Sequence, residues 1–250
     1  MSAEMSGESA VLSGSDVSAG YSGRAVVQGV NFIANPKSVT SIVGPNGSGK
    51  STLLKSLVGV VEILGGHVFK GETELTNKAP EDIARMGVGY VPQIDDIFPP
   101  LTVRENLEMG GYLLAAKEIP ARIEMVLSVF PRLESMMTRR AGKLSGGERK
   151  MLAMGRVMML NPSVYILDEP TANLAPAIAL SLLREQVRGL ADRGSTVLIV
   201  EQRARAVLEI SDHTYVLGGG RVLMEGSPAE LSQSQEFVDS FLGGGAGVSN

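Results

Sequence analysis

Apolar positions along the chain switch between a period of two and the helical period, and the switches mark out the elements. From Ala10 to Ala34 two β-like runs flank Gly20-Tyr21-Ser22-Gly23; in the second, Val26, Val30 and Phe32 share one face at period two. Ser38 to Val43 (SVTSIV) reads as a short buried strand, and Leu53, Leu54, Leu57 and Val58 then recur at helical spacing. Gly65 to Lys70 predicts a further strand, Pro80 to Met86 a short helix, and Val88 to Val91 a strand stopped by Pro92. The character then changes. Thr102-Val103-Arg104-Glu105 is a capping box opening a helix with Val103, Leu107 and Leu114 on one side. Pro120 starts another helix, whose Ile123, Val126, Leu127 and Phe130 fit i, i+3, i+4, i+7 before Pro131 ends it. A third runs from about Glu148 to Leu160 and stops at Asn161-Pro162, with Met151, Met154 and Met158 reading as core. Ser163 to Leu167 and Ser195 to Val200 are apolar runs that suit buried parallel strands, with a long helix opened by Pro176 between them. Tyr215 to Leu217 and Arg221 to Met224 read as a hairpin around Gly218-Gly219-Gly220, and Ser227 to Glu230 caps a last helical region.

The expected fold class is therefore α/β: a core with a mostly parallel sheet, an N-terminal antiparallel β subdomain, and an inserted all-helical subdomain over residues 95–160. The core takes residues 10–94 and 161–242. Residues 1–9, rich in Ser, Glu and Gly, are expected to form a disordered leader, and 243–250 a flexible tail. At 250 residues and 44% hydrophobic composition, the chain can bury a substantial core. The net charge is −4, with no block of one sign, which argues against nucleic acid as the main partner. There is no cysteine, so disulfides and thiol catalysis are excluded. His67 and His213 stand too far apart in sequence to suggest a metal pair. The start lacks the basic and apolar regions of a signal peptide, and no apolar run is long enough to cross a bilayer. The expected location is cytoplasmic, with any membrane role exercised through a partner.

Between the strand 38–43 and the helix after it lies Gly44-Pro45-Asn46-Gly47-Ser48-Gly49-Lys50-Ser51, which fits the phosphate-cradling pattern G-x-x-x-x-G-K-S/T. A loop in that place aims backbone N–H groups and the positive end of a helix dipole at phosphate. Gly44, Gly47 and Gly49 allow backbone angles and a close approach that a Cβ would block. Lys50 supplies a point charge for the β- and γ-phosphates, and the Ser51 hydroxyl, next to Thr52, can ligate Mg²⁺. The run 164–169 ends four apolar residues on two carboxylates. Asp168 can hold Mg²⁺, directly or through water, and Glu169 is placed to polarise a water for in-line attack. Leu144-Ser145-Gly146-Gly147-Glu148 offers a second anion site at a helix start. Read blandly it is an ordinary helix start; read with the first cradle, it suits a dimer that sandwiches nucleotide between the cradles of two subunits.

In the order and spacing of these three motifs the chain resembles the ATP-binding subunits of ABC transporters, over nearly its whole length. The resemblance implies a P-loop NTPase core, ATP and Mg²⁺ as ligands, ATP hydrolysis as the activity, and Ser145, Gly146 and Gly147 as contacts to nucleotide held by the other subunit. It implies three further roles. Tyr21 matches an aromatic residue that stacks on adenine. Gln93, after Tyr90-Val91-Pro92, matches a glutamine that contacts Mg²⁺ and senses the permease. Gln202, after Val200-Glu201, stands where the family has a switch histidine. Two positions depart from the family pattern: Ala172-Asn173-Leu174-Ala175 carries Ala175 where an aspartate is usual, and Gln202 replaces the histidine. Together with Pro92 to Pro99 they look like the second ATPase subunit of branched-chain amino-acid importers, with urea and short-amide importers as near relatives. The partners so implied are membrane permease subunits, a sister ATP-binding subunit in a heterodimer, and indirectly an external solute-binding protein. The implied location is peripheral, on the inner face of the cell membrane. A soluble ABC ATPase is the alternative, but such proteins usually carry a coiled-coil insert or tandem cassettes, and this chain shows neither.

Overall fold

The computed structural model describes residues 10–94 and 96–238; the expected leader and tail lie outside them. The chain opens with β1 (Leu12–Tyr21) and β2 (Arg24–Ala34), an antiparallel hairpin turned by Ser22 and Gly23, both at positive φ. β3 (Val39–Val43) leads through the glycine-rich loop into α1 (Lys50–Leu57). β4 (Glu62–Lys70) and β5 (Thr73–Glu74) complete a four-stranded antiparallel sheet in the order β2-β1-β4-β5. Next come α2 (Pro80–Arg85) and β6 (Val88–Val91), followed by the helices α3 (Val103–Gly110), α4 (Ile119–Val129) and α5 (Gly146–Met158), joined by 3₁₀ turns. β7 (Val164–Asp168) precedes α6 (Pro176–Ser181), which continues through a π-helical stretch, Leu182–Val187, into α7 (Arg188–Asp192). β8 (Thr196–Val200), α8 (Ala204–Leu208), β9 (His213–Gly218), β10 (Arg221–Gly226), α9 (Pro228–Gln233) and α10 (Gln235–Phe237) finish the described chain.

The second sheet has six strands in the order β10-β9-β3-β8-β7-β6, all parallel except β10. Its central strands β3, β7 and β8 are buried along their whole length, which is why they read as unbroken apolar runs rather than alternating ones. Alternation survives as a division between two cores. Val39, Val43, Tyr165, Leu167, Val197 and Ile199 face the helical side. Ile42, Ile166, Leu198 and Val200 face α1 and the antiparallel sheet. On that side Leu53, Leu54 and Leu57 of α1 are fully buried, each contributing roughly 1.5–3 kcal/mol of apolar burial. The register aligns the strand ends: Val91 pairs with Leu167, Asp168 with Val200, and Ile42 with Val200. The residues that follow β3, β6, β7 and β8 therefore emerge along one edge.

Three expectations change. The buried face of β2 carries Val27, Val30 and Phe32, while Val26 is 39% exposed. The cause is a bulge: Val17 and Ala19 on β1 pair with Val30 and Val27, so β2 holds an extra residue there, and Gly29 takes φ +63°. α3 stops at Gly110, so Leu114 lies beyond the helix. A Cβ on Gly110 would stand 2.3 Å from the Arg156 carbonyl oxygen, which shows how closely the end of α3 meets α5. α5 begins at Gly146, because Ser145 is its N-cap: the Ser145 hydroxyl accepts from Glu148 N–H and the Glu148 carboxylate accepts from Ser145 N–H.

Candidate functional site

The loop 44–49 turns where only glycine fits. A Cβ on Gly44 would lie 2.1 Å from the Leu217 carbonyl oxygen of neighbouring β9, and one on Gly49, at φ +99°, would lie 2.5 Å from the Val27 side chain. Gly49 is the N-cap of α1 and offers no side-chain cap, so the first N–H groups of the helix face the cleft. Lys50 folds back over the loop and donates to the carbonyls of Gly44 at 2.8 Å and Pro45 at 3.0 Å. Burial pulls its ammonium below the ordinary lysine range; Glu169 and Asp168 oppose that by stabilising the charge.

Asp168 ends β7 and is buried. Its carboxylate accepts from the Ser51 hydroxyl at 3.0 Å and, on the other oxygen, from the Tyr90 hydroxyl at 3.2 Å. Beside it Glu169 adopts φ +47°, an uncommon backbone position for a side chain of this size, and its N–H donates to Val200 O at 3.0 Å. The turn sends the Glu169 carboxylate into the cleft, where it accepts from Gln93 Nε2 at 2.8 Å. Burial raises its proton affinity above that of a free glutamate; Lys50 works against this and Asp168 with it. Gln202 reaches the same cleft from the end of β8. The cavity holds about 410 Å³ and is lined by Asn46, Gly47, Lys50, Ser51, Thr52, Gln93, Glu169 and Gln202, among others.

The structure thus gathers Asn46, Gly47, Gly49, Lys50, Ser51, Thr52, Gln93, Glu169 and Gln202 around one cleft, with Asp168 bonded to its Ser51 wall. Gly44, Pro45 and Ser48 of the same loop do not line the cavity, and two other groups stand apart from it. Tyr21 is half exposed at the hairpin tip and does not line the cavity. Ser145 and Gly146 are exposed at the start of α5, with Gly146 beside Leu174, while Gly147 is buried beside Ile178; none of the three lines it. Ala175 is the N-cap of α6 and has no side-chain cap bond.

Two contributors went unread in the sequence. Tyr90 looks there like a strand residue only. Glu201 repeats the pattern of an acid just past a buried strand, which was the available signal. It is 2% exposed and its carboxylate accepts from Thr171 N–H at 3.0 Å, so it ties the turn after Glu169 to the end of β8. Burial raises its proton affinity, and the Thr171 bonds only partly offset that.

The donor set suits a hard cation beside polyphosphate. The Ser51 hydroxyl and the Asp168 carboxylate meet as oxygen donors, and the Lys50 ammonium and the N-terminus of α1 adjoin them.

The ABC transporter family profile matches residues 27–172. A probable branched-chain amino acid transport ATP-binding protein, LivF, from Archaeoglobus fulgidus is 40% identical over 227 residues, covering 91% of this chain and 96% of that protein. The high-affinity branched-chain amino acid transport ATP-binding protein BraG of Pseudomonas aeruginosa is 37% identical over 235 residues, covering 94% and 100%. Among solved structures, an ATP-binding cassette of an ABC transporter in its ADP conformation superposes with a TM-score of 0.83 at 29% identity, covering 93% of this chain and 98% of that one.

Proposed function

This chain belongs to the ABC transporter family and is an ATPase of that family, and we propose that it powers the import of branched-chain amino acids through a membrane permease. The observation that carries the reading is the convergence of Lys50, Ser51, Gln93, Glu169 and Gln202 on one cleft, in a chain 40% identical to a protein named for that transport. Among the described residues no helix is long and apolar enough to cross a membrane; in this reading a partner supplies the translocation path and this chain works at the inner membrane face.

In this reading the N–H groups at the start of α1 and the Lys50 ammonium hold the β- and γ-phosphates of ATP. Ser51, Asp168 and Gln93 would hold Mg²⁺, which when bound neutralises charge on the phosphate oxygens. Glu169 orients a water with Gln93 and takes its proton as the water oxygen bonds to the γ-phosphorus and the bond to the β-phosphate oxygen breaks, releasing ADP and phosphate. Gln202 donates a hydrogen bond to the γ-phosphate. Tyr21 stacks on adenine, a contact worth on the order of 1 kcal/mol. Ser145, Gly146 and Gly147 serve the nucleotide of a sister subunit, since they stand outside this chain's own cleft. The helical segment 95–160 acts as a subdomain that rocks against the core. A permease element docks in the apolar groove of about 540 Å³ lined by Val60, Ile83, Phe98, Met109, Tyr112 and Arg156. Phe98, Met109 and Tyr112 support this, being large apolar side chains left 41–58% exposed.

The test is uptake into vesicles that hold this chain with its permease and sister subunit, supplied with the binding protein. ATP-dependent accumulation of leucine, isoleucine or valine, with none of urea, is the expected result. Accumulation of urea or acetamide instead would move the substrate assignment to the amide importers.

A further inference from the structure

We infer that Lys150 is a positioning residue for hydrolysis, fixing Gln93 against Glu169 and making that contact depend on where α5 stands; this rests on the reading of Glu169 given above. Lys150 lies about one helical turn beyond Gly146. Its ammonium is buried, with only 9% of the side chain exposed. It donates to the Gln93 carbonyl at 2.8 Å and to the Asp96 carboxylate at 2.7 Å, itself 12% exposed. From the same residue, the Gln93 amide reaches the Glu169 carboxylate at 2.8 Å. One side chain of α5 therefore holds the backbone of the residue whose side chain holds the proposed base.

The rest of the segment is held by the same helical layer. Arg156, two turns further along α5, donates to the Asp96 carbonyl and sits 4.4 Å from the centre of the Phe98 ring. Asn106 of α3, fully buried, accepts from Phe98 N–H at 2.8 Å and donates to Phe98 O at 3.0 Å. Gln93, Asp96 and Phe98 follow β6 in sequence, yet Lys150, Arg156 and Asn106 attach them to α3 and α5. A shift of α5 relative to the core must then either drag Gln93 away from Glu169 or break the Lys150 bonds. The bonds are buried and charge-assisted, so dragging is the cheaper response. Lys150 thereby reports to Glu169 on the first turn of its own helix, where Ser145, Gly146 and Gly147 stand. Misplacing a group near reacting atoms by about 1 Å can cost as much as 10²-fold in rate, so a small displacement suffices.

The experiment measures ATP turnover by the assembled transporter in vesicles, with Lys150→Met, Lys150→Arg and Glu169→Gln made side by side. For Lys150→Met we expect kcat to fall about tenfold with KM for ATP within about twofold of wild type, and Lys150→Arg to restore most of the rate. Hydrogen exchange at the amides of residues 93–98 should quicken in the Met variant. A merely structural lysine would lower the melting temperature but leave the folded protein turning over at the wild-type kcat, and that result overturns the inference. If the Met variant does not assemble, wild-type protein decides the question. Nucleotide binding should then slow exchange in residues 93–98 and in the first turn of α5 together, and protection of only one of them contradicts the coupling. The Glu169→Gln arm separates the two readings. Full turnover in that variant removes the base and the inference with it. An inactive Glu169→Gln beside an unslowed Lys150→Met removes the inference alone.

Discussion

Gln202 brings to the cleft an amide that never titrates. A hydrogen bond from it to an anionic phosphate is worth roughly 0.5–1.5 kcal/mol net, or more against full charge. Gln202→Ala should therefore lower turnover by up to about tenfold. Gln202→His should keep turnover and add a pH dependence near the imidazole range, about 6.5. An alanine variant as fast as wild type would leave Gln202 as a cap on the strand end and no more. Glu201 allows a test by stability instead. Its proton affinity is raised in the folded state by burial, so its stabilising contribution is complete below the unfolded carboxylate pKa and is lost as pH rises through the folded one. Glu201→Gln keeps an acceptor for Thr171 N–H without the buried charge. At pH 8 the variant should melt at or above wild type, and acidification toward pH 5 should move the difference in favour of wild type. A melting-temperature gap that ignores pH would mean that Glu201 is not charged and buried at neutral pH.

Elements whose signals are local were legible from the sequence. The caps at Thr102 and Ser227 can be read from four residues each, and both form as capping boxes; the box at Ser145 has the same pattern, but it is hidden in a glycine-rich stretch that reads as an anion site, so α5 starts earlier than its apolar spacing suggests. Thr102→Ala removes the acceptor for Glu105 N–H and the hydroxyl bond to the Glu105 carboxylate, leaving only the backbone N–H bond to that carboxylate; it should cost about 1 kcal/mol, or about 2–4 °C in melting temperature. No shift in a thermal scan would mean that α3 is held by its packing on α5 alone. Where a partner element decides, the sequence was silent. The phase of β2 slips at Gly29 because β1 sets the pairing, so Val26 is exposed, where it lines the cleft, and Val27 goes to the core. α3 ends where Gly110 meets the backbone of α5, not where its apolar spacing would carry it. In the site the same division holds. The phosphate loop and the pair Asp168-Glu169 are contiguous motifs and readable as such. Tyr90 acts from β6 on the last residue of β7, and Lys150 acts on the segment after β6, contacts that no spacing along the chain announces.

For the whole molecule, parallel pairing in register is what makes a site of four separate strand ends. β3 supplies the loop, β7 the carboxylates, β8 Glu201 and Gln202, and β6 the path to Gln93. Open α/β sheets bind ligands along that edge because loops and helix N-termini converge there. Ser145 to Gly147 stand outside the chain's own cleft, and in the proposed function they serve the nucleotide of a sister subunit. The central claim is that this cleft hydrolyses ATP with Glu169 as base, and the most direct test is phosphate release by the complex of this chain with its sister subunit and permease. Glu169→Gln should lower the rate of release from the site built on this chain by about 10²–10⁴-fold while ATP still binds as in wild type. A variant complex that binds ATP and releases phosphate from this site at the wild-type rate would contradict the account.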